Sequence, residues 1–77
     1  MLFLIEYDRS LGEVVTIHRF GDSEKRKAEF ARLELELELN RLGTQHEVVL
    51  LEASNEEAMR RTHRRYFENL FELLEAS

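Results

Sequence analysis

Residues 33 to 39, in the middle of the chain, alternate strictly between leucine and glutamate. Strict alternation is typical of a β-strand with one buried face. Leucine and glutamate are nevertheless strong helix formers, and glutamate is depleted in strands. The surrounding apolar residues recur at helical spacing: Ala28, Ala31, Leu35, Leu39 and Leu42. Because Asp22 or Ser23 can serve as an N-cap and Gly43 as a C-cap, we predict one long helix over residues 23 to 42.

This predicted helix carries a second apolar stripe. At about 100° per residue, Phe30, Leu33 and Leu37 fall nearly opposite the first stripe. A helix that lies on a sheet needs only one apolar face, so a partner is expected to cover the other. We predict an oligomer interface formed by Phe30, Leu33 and Leu37 with Phe67 and Phe71. In the alternative, the last helix packs on this stripe and the far face of the sheet meets the partner.

Three β-strands are predicted around this helix. Residues 2–7 and 13–20 form a hairpin around a five-residue loop that contains Gly12. Residues 46–52 include four consecutive apolar residues and are typical of a strand buried on both sides. Residues 2–5 are also apolar on both faces, which suits a central strand.

The last helix is predicted over residues 55–74, because Ser54 and Glu57 have the spacing of a capping box. The fold class is therefore α+β, a single ββαβα domain with a three-stranded antiparallel sheet in the order 2-1-3. In this topology the second helix packs beside the first. The element order is similar to half of a ferredoxin-like fold, an architectural likeness that implies no function.

The length and composition limit the classes of protein to consider. A chain of 77 residues provides one domain, residues 1–77, with a marginal core. Such domains often add a disulfide, a metal or a partner subunit. The chain has no cysteine, which excludes disulfides and thiolate metal sites. No stretch approaches the roughly 20 apolar residues that span a bilayer, so we predict a cytoplasmic homo-oligomer without a membrane partner.

Five basic residues lie within six positions near the end of the chain: Arg60, Arg61, His63, Arg64 and Arg65. Glu56 and Glu57 precede Arg60 and Arg61 by four positions, a spacing that forms ion pairs on a helix. The favoured interpretation is a solvated, ion-paired face. The alternative is a binding surface for nucleic acid or an acidic protein. The net charge of −5 argues against a dedicated nucleic-acid binder, because such domains usually carry a basic field.

Catalytic and metal-binding arrangements are not evident in the sequence. No two of the three histidines show the HxH or HxxxH spacing of a histidine-based zinc site. Carboxylates at strand ends could form a hydrolase metal site, but the topology puts Asp8 and Glu13 at one edge and Asp22 and Glu52 at the other. We therefore predict no catalytic residue, metal or cofactor. The predicted function is a small non-enzymatic interaction module that self-associates.

Overall fold

The computed structural model describes residues 1–64. Three strands form one antiparallel sheet in the order β2-β1-β3. The strands and helices follow one another as β1 (Leu2–Asp8), β2 (Glu13–Phe20), α1 (Lys25–Leu42), β3 (Glu47–Glu52) and α2 (Glu56–Thr62). The predicted α+β class, the ββαβα order and the 2-1-3 strand order are confirmed.

The alternating segment is helical, as predicted, because α1 runs without interruption from Lys25 to Leu42. The helix ends at Leu42 and is followed by Gly43 at the C-cap, as predicted. Gly43 adopts a left-handed conformation with φ of 70°, and its amide donates to the carbonyl of Asn40 at 3.2 Å. Glycine suits this position because it has no side chain to clash in a left-handed conformation.

The predicted N-cap of α1 is wrong. A 3-10 turn over Asp22–Glu24 precedes the helix, and Glu24 stands at its N-cap position without a side-chain cap. The Asp22 carboxylate instead contacts the amino group of Met1. Glu24 accepts a hydrogen bond from the Gly21 amide at 2.8 Å. These two contacts use the polar side chains that would otherwise cap the first turn.

The two helices cover opposite faces of the sheet, so the prediction that α2 packs beside α1 is wrong. On one face, Phe3 and Ile5 are fully buried against Met59 of α2. On the other, Leu2 and Leu4 are buried beneath α1. Successive strand residues point to opposite faces, and β1 carries large apolar side chains on both. Two covering layers are therefore needed to bury it.

Burial decreases away from β1. The apolar residues of β3, 48–51, are only partly buried, so the prediction that this strand is buried on both sides is wrong. Burial is incomplete because β3 lies at the edge of the sheet, as the predicted order 2-1-3 requires. Leu42, predicted to lie on the buried stripe of α1, is 59% exposed. It is the last helical residue, immediately before the turn at Gly43. The buried stripe of α1 therefore centres on Ala28 and Leu39.

Strand β2 contains a β-bulge. The register with β1 shifts between Glu6, which pairs with Thr16, and Tyr7, which pairs with Val14. Val15 is the extra residue, and its side chain is 47% exposed. Such a bulge twists the strand and interrupts the regular spacing of its backbone groups.

Helix α2 begins one residue later than the predicted capping box. Its N-cap is Asn55, whose side-chain oxygen accepts from the Ala58 amide at 2.7 Å. Asparagine and serine are comparable N-caps, and Asn55 takes the position here. The helix ends at Thr62, whose hydroxyl donates to the Ala58 carbonyl at 2.9 Å. Residues 65–74 of the predicted helix lie outside the described residues.

Candidate functional site

The outer side of α1 carries an exposed apolar stripe formed by Phe30, Leu33 and Leu37, which we name the α1 stripe. These side chains are 61%, 51% and 60% exposed, respectively. The opposite side of the same helix contacts the sheet, where Ala28 and Leu39 are buried. The two-faced character that the sequence predicts for this helix is therefore present, with one face covered and the other open.

Charged side chains flank the α1 stripe and pair along the helix. Arg32 lies 3.9 Å from Glu36, and Arg41 lies 2.5 Å from Glu38. The hydrogen bond from Arg41 to Glu38 raises the pKa of the arginine above its usual value. Charged side chains therefore border the apolar α1 stripe, and two pairs of them form ion pairs within the helix.

The remaining residues of the predicted oligomer interface, Phe67 and Phe71, lie outside the described residues. The described part of the last helix does not reach the α1 stripe, because α2 lies on the other face of the sheet. In residues 1–64 the alternative packing, with the last helix on the stripe, is therefore not seen. The stripe is open to solvent in this part of the chain.

The arginines of α2 form ion pairs with the preceding turn. Arg60 lies 3.3 Å from Glu56, and Arg61 lies 3.4 Å from Glu57. Glu56 also accepts a hydrogen bond from Arg19 of β2 at 2.7 Å. The local positive charge is thus balanced by carboxylates at hydrogen-bonding distance. This geometry matches the ion-paired face that the sequence interpretation favours over a phosphate-binding patch.

The other two described basic residues of the predicted partner surface, His63 and Arg64, lie just after α2. His63 is half-buried at the C-cap of α2, where its backbone amide donates to the Met59 carbonyl at 3.0 Å. Arg64 is exposed. Arg65 lies outside the described residues. The four arginines are therefore not seen together as one surface on a single regular helix, because α2 ends before Arg64.

A polar cluster that sequence reasoning missed lies on the α1 side of the sheet. Nδ1 of His46 lies 2.5 Å from Oε2 of Glu6, and its Nε2 lies 3.5 Å from Oδ2 of Asp8. Glu6 is only 8% exposed. The predicted strand order brings the start of β3 next to the end of β1, but the pairing of His46 with Glu6 also depends on the register of the two strands.

Asp8 also organises the hairpin turn. Its carboxylate accepts hydrogen bonds from the Ser10 hydroxyl at 2.7 Å and from the Ser10 and Leu11 amides at 3.0 and 3.2 Å. The Ser10 hydroxyl is the main cause that lowers the pKa of Asp8, against partial burial, which raises it. The two amides and His46 lower it further. The side chain therefore serves the turn and the cluster together.

A cleft of about 460 Å³ opens between α1 and β2. It exists because α1 lies mainly over β1 and β3, which leaves the outer part of β2 without a helix above it. Its walls combine Leu4, Phe20 and Leu35 with the polar side chains of Glu6 and His18. The Glu6 carboxylate in this wall is already held by His46, and the other polar side chains that line the cleft are Thr16, His18 and Glu34.

Metal-binding geometry is not found in the described part of the chain. Within residues 1–64, no group of three or more histidine, aspartate or glutamate side chains is arranged to hold a metal ion. Two of the four candidate carboxylates of the sequence analysis have local contacts instead, Asp8 in the hairpin turn and Asp22 with the amino group of Met1. Over the same residues, no helix has the length and apolar character needed to cross a membrane.

Comparisons with protein-family models, with curated proteins and with solved structures find no match to this chain.

Proposed function

We propose that this protein is a small, non-enzymatic interaction module that self-associates through the α1 stripe. The observation that carries the proposal is the exposure of Phe30, Leu33 and Leu37, each above half, on one side of a regular helix. Scattered exposed apolar residues are normal on a protein surface. A contiguous row of large apolar side chains on one helix face is a signature of an interaction site.

A second copy of the chain is the partner that the size of the domain favours. A chain of 77 residues buries a small core by itself. In residues 1–64 that core centres on Phe3, Ile5 and Met59, with Leu2 and Leu4 on the other face of β1. An isologous two-fold contact is the commonest way for a chain to bury an apolar face. The proposal includes a cytoplasmic location, because a chain without cysteine gains nothing from an oxidising compartment.

Two charged substitutions on the α1 stripe test this proposal. Replacement of Leu33→Glu together with Leu37→Lys keeps the net charge and the helix propensity of α1, but desolvation of these charges opposes any contact at the stripe. Light scattering and sedimentation at micromolar concentration are expected to show a lower mass for this variant than for the parent chain.

A matched control uses two exposed apolar residues that lie away from α1. Leu11 and Val15 are 67% and 47% exposed, in the hairpin loop and the β2 bulge. The double substitution Leu11→Lys with Val15→Glu introduces the same charges and is expected to leave the mass of the parent assembly unchanged. Equal loss of mass in both double variants would contradict a contact at the α1 stripe.

A further inference from the structure

We infer that β3 is a second self-association surface, at which two copies pair their β3 strands antiparallel across a two-fold axis at Val49. The inference deepens the proposed function and rests on it, because it names a further contact of the same assembly. Within residues 1–64 the sheet has two edge strands, β2 and β3. An edge strand presents backbone donors and acceptors that another strand can bind, and natural proteins usually protect such edges.

The two edge strands differ in how well they are protected from pairing with a strand of another chain. Strand β2 carries the bulge at Val15, and bulges are one of the devices that prevent pairing between edges. Strand β3 pairs with β1 in continuous register from Glu47 to Glu52, without a bulge. It contains no proline, and the four residues between its terminal glutamates are apolar. The structure therefore leaves β3 as the edge that suits another strand.

The register follows from the faces of the sheet. A two-fold axis normal to the sheet keeps each face on the same side, so residues opposite one another across the contact must belong to the same face. On the face beneath α1, an axis at Val49 puts Val48 opposite Leu50 of the second copy, an apolar pair that the two-fold axis repeats. An axis at Leu50 instead puts Val48 opposite Glu52 on that face, so that a charge meets an apolar side chain beneath the helices. Apolar cross-strand pairs are stabilising, which favours Val49.

The position of α1 fits this contact. The helix lies mainly over β1 and β3, and neighbouring strands are about 4.8 Å apart. A helix centred between β1 and β3 would therefore lie about 10 Å from its copy across the two-fold axis. Packed helices have interaxial distances of about 8–10 Å. Pairing at β3 would thus bring the two α1 helices together without a gap or a clash.

The charges on the facing sides of the two helices are complementary. Arg32 and Glu36 lie on the flank of α1 towards β3, where Glu36 borders a small cleft with Val48. Leu35 borders the larger cleft with Leu4, so this part of the helix lies level with the middle of the sheet. The two-fold axis therefore brings Arg32 of each copy opposite Glu36 of the other. Both side chains are about half-exposed, and their 3.9 Å contact within the helix would be exchanged for contacts between the two copies.

The two contacts combine in one assembly. Pairing at β3 sets two α1 stripes side by side on one face of a six-stranded sheet. Two such dimers can then bury their stripes face to face, which closes the assembly at four chains. The variant Leu33→Glu with Leu37→Lys is expected to reduce the mass from four chains to two and to leave the β3 contact in place.

Disulfide crosslinking tests the position of the axis, because the native chain has no cysteine. Oxidised Val49→Cys is expected to form a covalent dimer at least about tenfold faster than Val15→Cys, since only the first substitution brings two Cα atoms within disulfide range. The same rate is expected in the stripe variant. Faster crosslinking of Leu50→Cys than of Val49→Cys would overturn the proposed register. A rate for Val49→Cys equal to that for Val15→Cys would overturn the contact.

A charge swap tests the same contact without cysteine chemistry. Arg32→Glu is expected to raise the dissociation constant of the β3 dimer, measured in the stripe variant, by about twofold to thirtyfold, the combined range of two exposed ion pairs. Adding Glu36→Arg is expected to restore it. Failure of the second substitution to restore association would count against the contact.

The failure of this inference is distinguishable from failure of the proposed function. If the parent chain associates but Val49→Cys crosslinks no faster than the control, the β3 contact is wrong and self-association through the α1 stripe stands. If the parent chain has the mass of one chain at micromolar concentration, both proposals fail.

Discussion

Leu37 and Leu39 lie two positions apart on α1, yet the first side chain is 60% exposed and the second only 8%. Replacing each leucine with alanine removes the same atoms from both positions, so the two losses of stability differ only through the burial of the side chain. We expect Leu39→Ala to lower the free energy of unfolding by about 2–5 kcal/mol, as for buried leucines generally. We expect Leu37→Ala to lower it by less than about 1 kcal/mol in the unassociated chain. Chemical denaturation of both variants measures these values.

Protein concentration separates the two roles further. Association stabilises the folded state by mass action, so loss of an interface residue costs more at higher concentration. The effect of Leu37→Ala should therefore grow as the protein concentration rises, whereas the direct effect of Leu39→Ala should not. If the effect of Leu37→Ala does not change with concentration, Leu37 does not lie in an interface between copies.

The contact between His46 and Glu6 predicts that the cost of replacing His46 depends on whether Glu6 is present. His46→Leu leaves the buried Glu6 carboxylate without its hydrogen-bond partner, which is expected to cost about 1–3 kcal/mol of stability. Replacement of both residues with leucine removes the unsatisfied group and should recover most of that loss. A double variant as unstable as His46→Leu would show that the contact between the two side chains is not the cause.

The turn at Asp8 predicts a dependence of stability on acid pH. Its pKa lies below the usual value of 3.8, chiefly because the Ser10 hydroxyl donates to the carboxylate. The unfolded chain therefore binds the proton more readily than the folded chain does. This contribution to stability is present above about pH 4 and is lost as the pH falls through the lowered pKa. Denaturation between about pH 5 and pH 2 should give a shallower slope for Asp8→Asn than for the parent chain.

An exposed glutamate on α1 provides the control for this titration. Glu29→Gln removes one ionisable carboxyl from the outer part of the helix. We expect this variant to fold as the parent chain does, so it shows whether loss of one negative charge alone changes stability. If Asp8→Asn gives the same dependence of stability on pH as the parent chain, the hydrogen bonds at Asp8 contribute no pH dependence.

The basic residues near the end of the chain give a prediction that also tests nucleic-acid binding. Arg61 is exposed and pairs only with a nearby glutamate of the same helix among the contacts described. We expect Arg61→Glu to change stability by less than about 0.5 kcal/mol, as for most surface substitutions, and we expect Arg61→Glu and Arg65→Glu to change no binding. We also expect the parent chain to elute early from heparin. Strong, salt-dependent retention that these substitutions abolish would favour a binder of nucleic acid or acidic proteins.

Helix propensity and hydrophobic periodicity are sufficient to predict the fold class. Leucine and glutamate propensity, with Gly43 at the C-cap, outweighs the alternating pattern of residues 33–39. The apolar residues 2–5 correctly indicate a central strand that is buried on both faces. Each of these signals lies within one helix or one strand, so it can be read from the sequence without knowing how the elements pack.

The errors concern contacts between elements. The caps at Glu24 and Asn55 differ from the predicted ones because several adjacent residues can cap a helix and tertiary contacts choose among them. The face that α2 covers depends on the loop after β3, which periodicity does not describe. The contact between His46 and Glu6 joins residues 40 positions apart, so it requires the strand register as well as the strand order.

The mass of the parent chain in solution tests the central claim most directly. Light scattering at micromolar concentration should give a mass well above 9.2 kDa, that of one chain, and dilution should lower it. The variant Leu33→Glu with Leu37→Lys should give a lower mass at the same concentration. A parent mass of 9.2 kDa throughout would show that the chain does not associate through the α1 stripe, and would contradict the account.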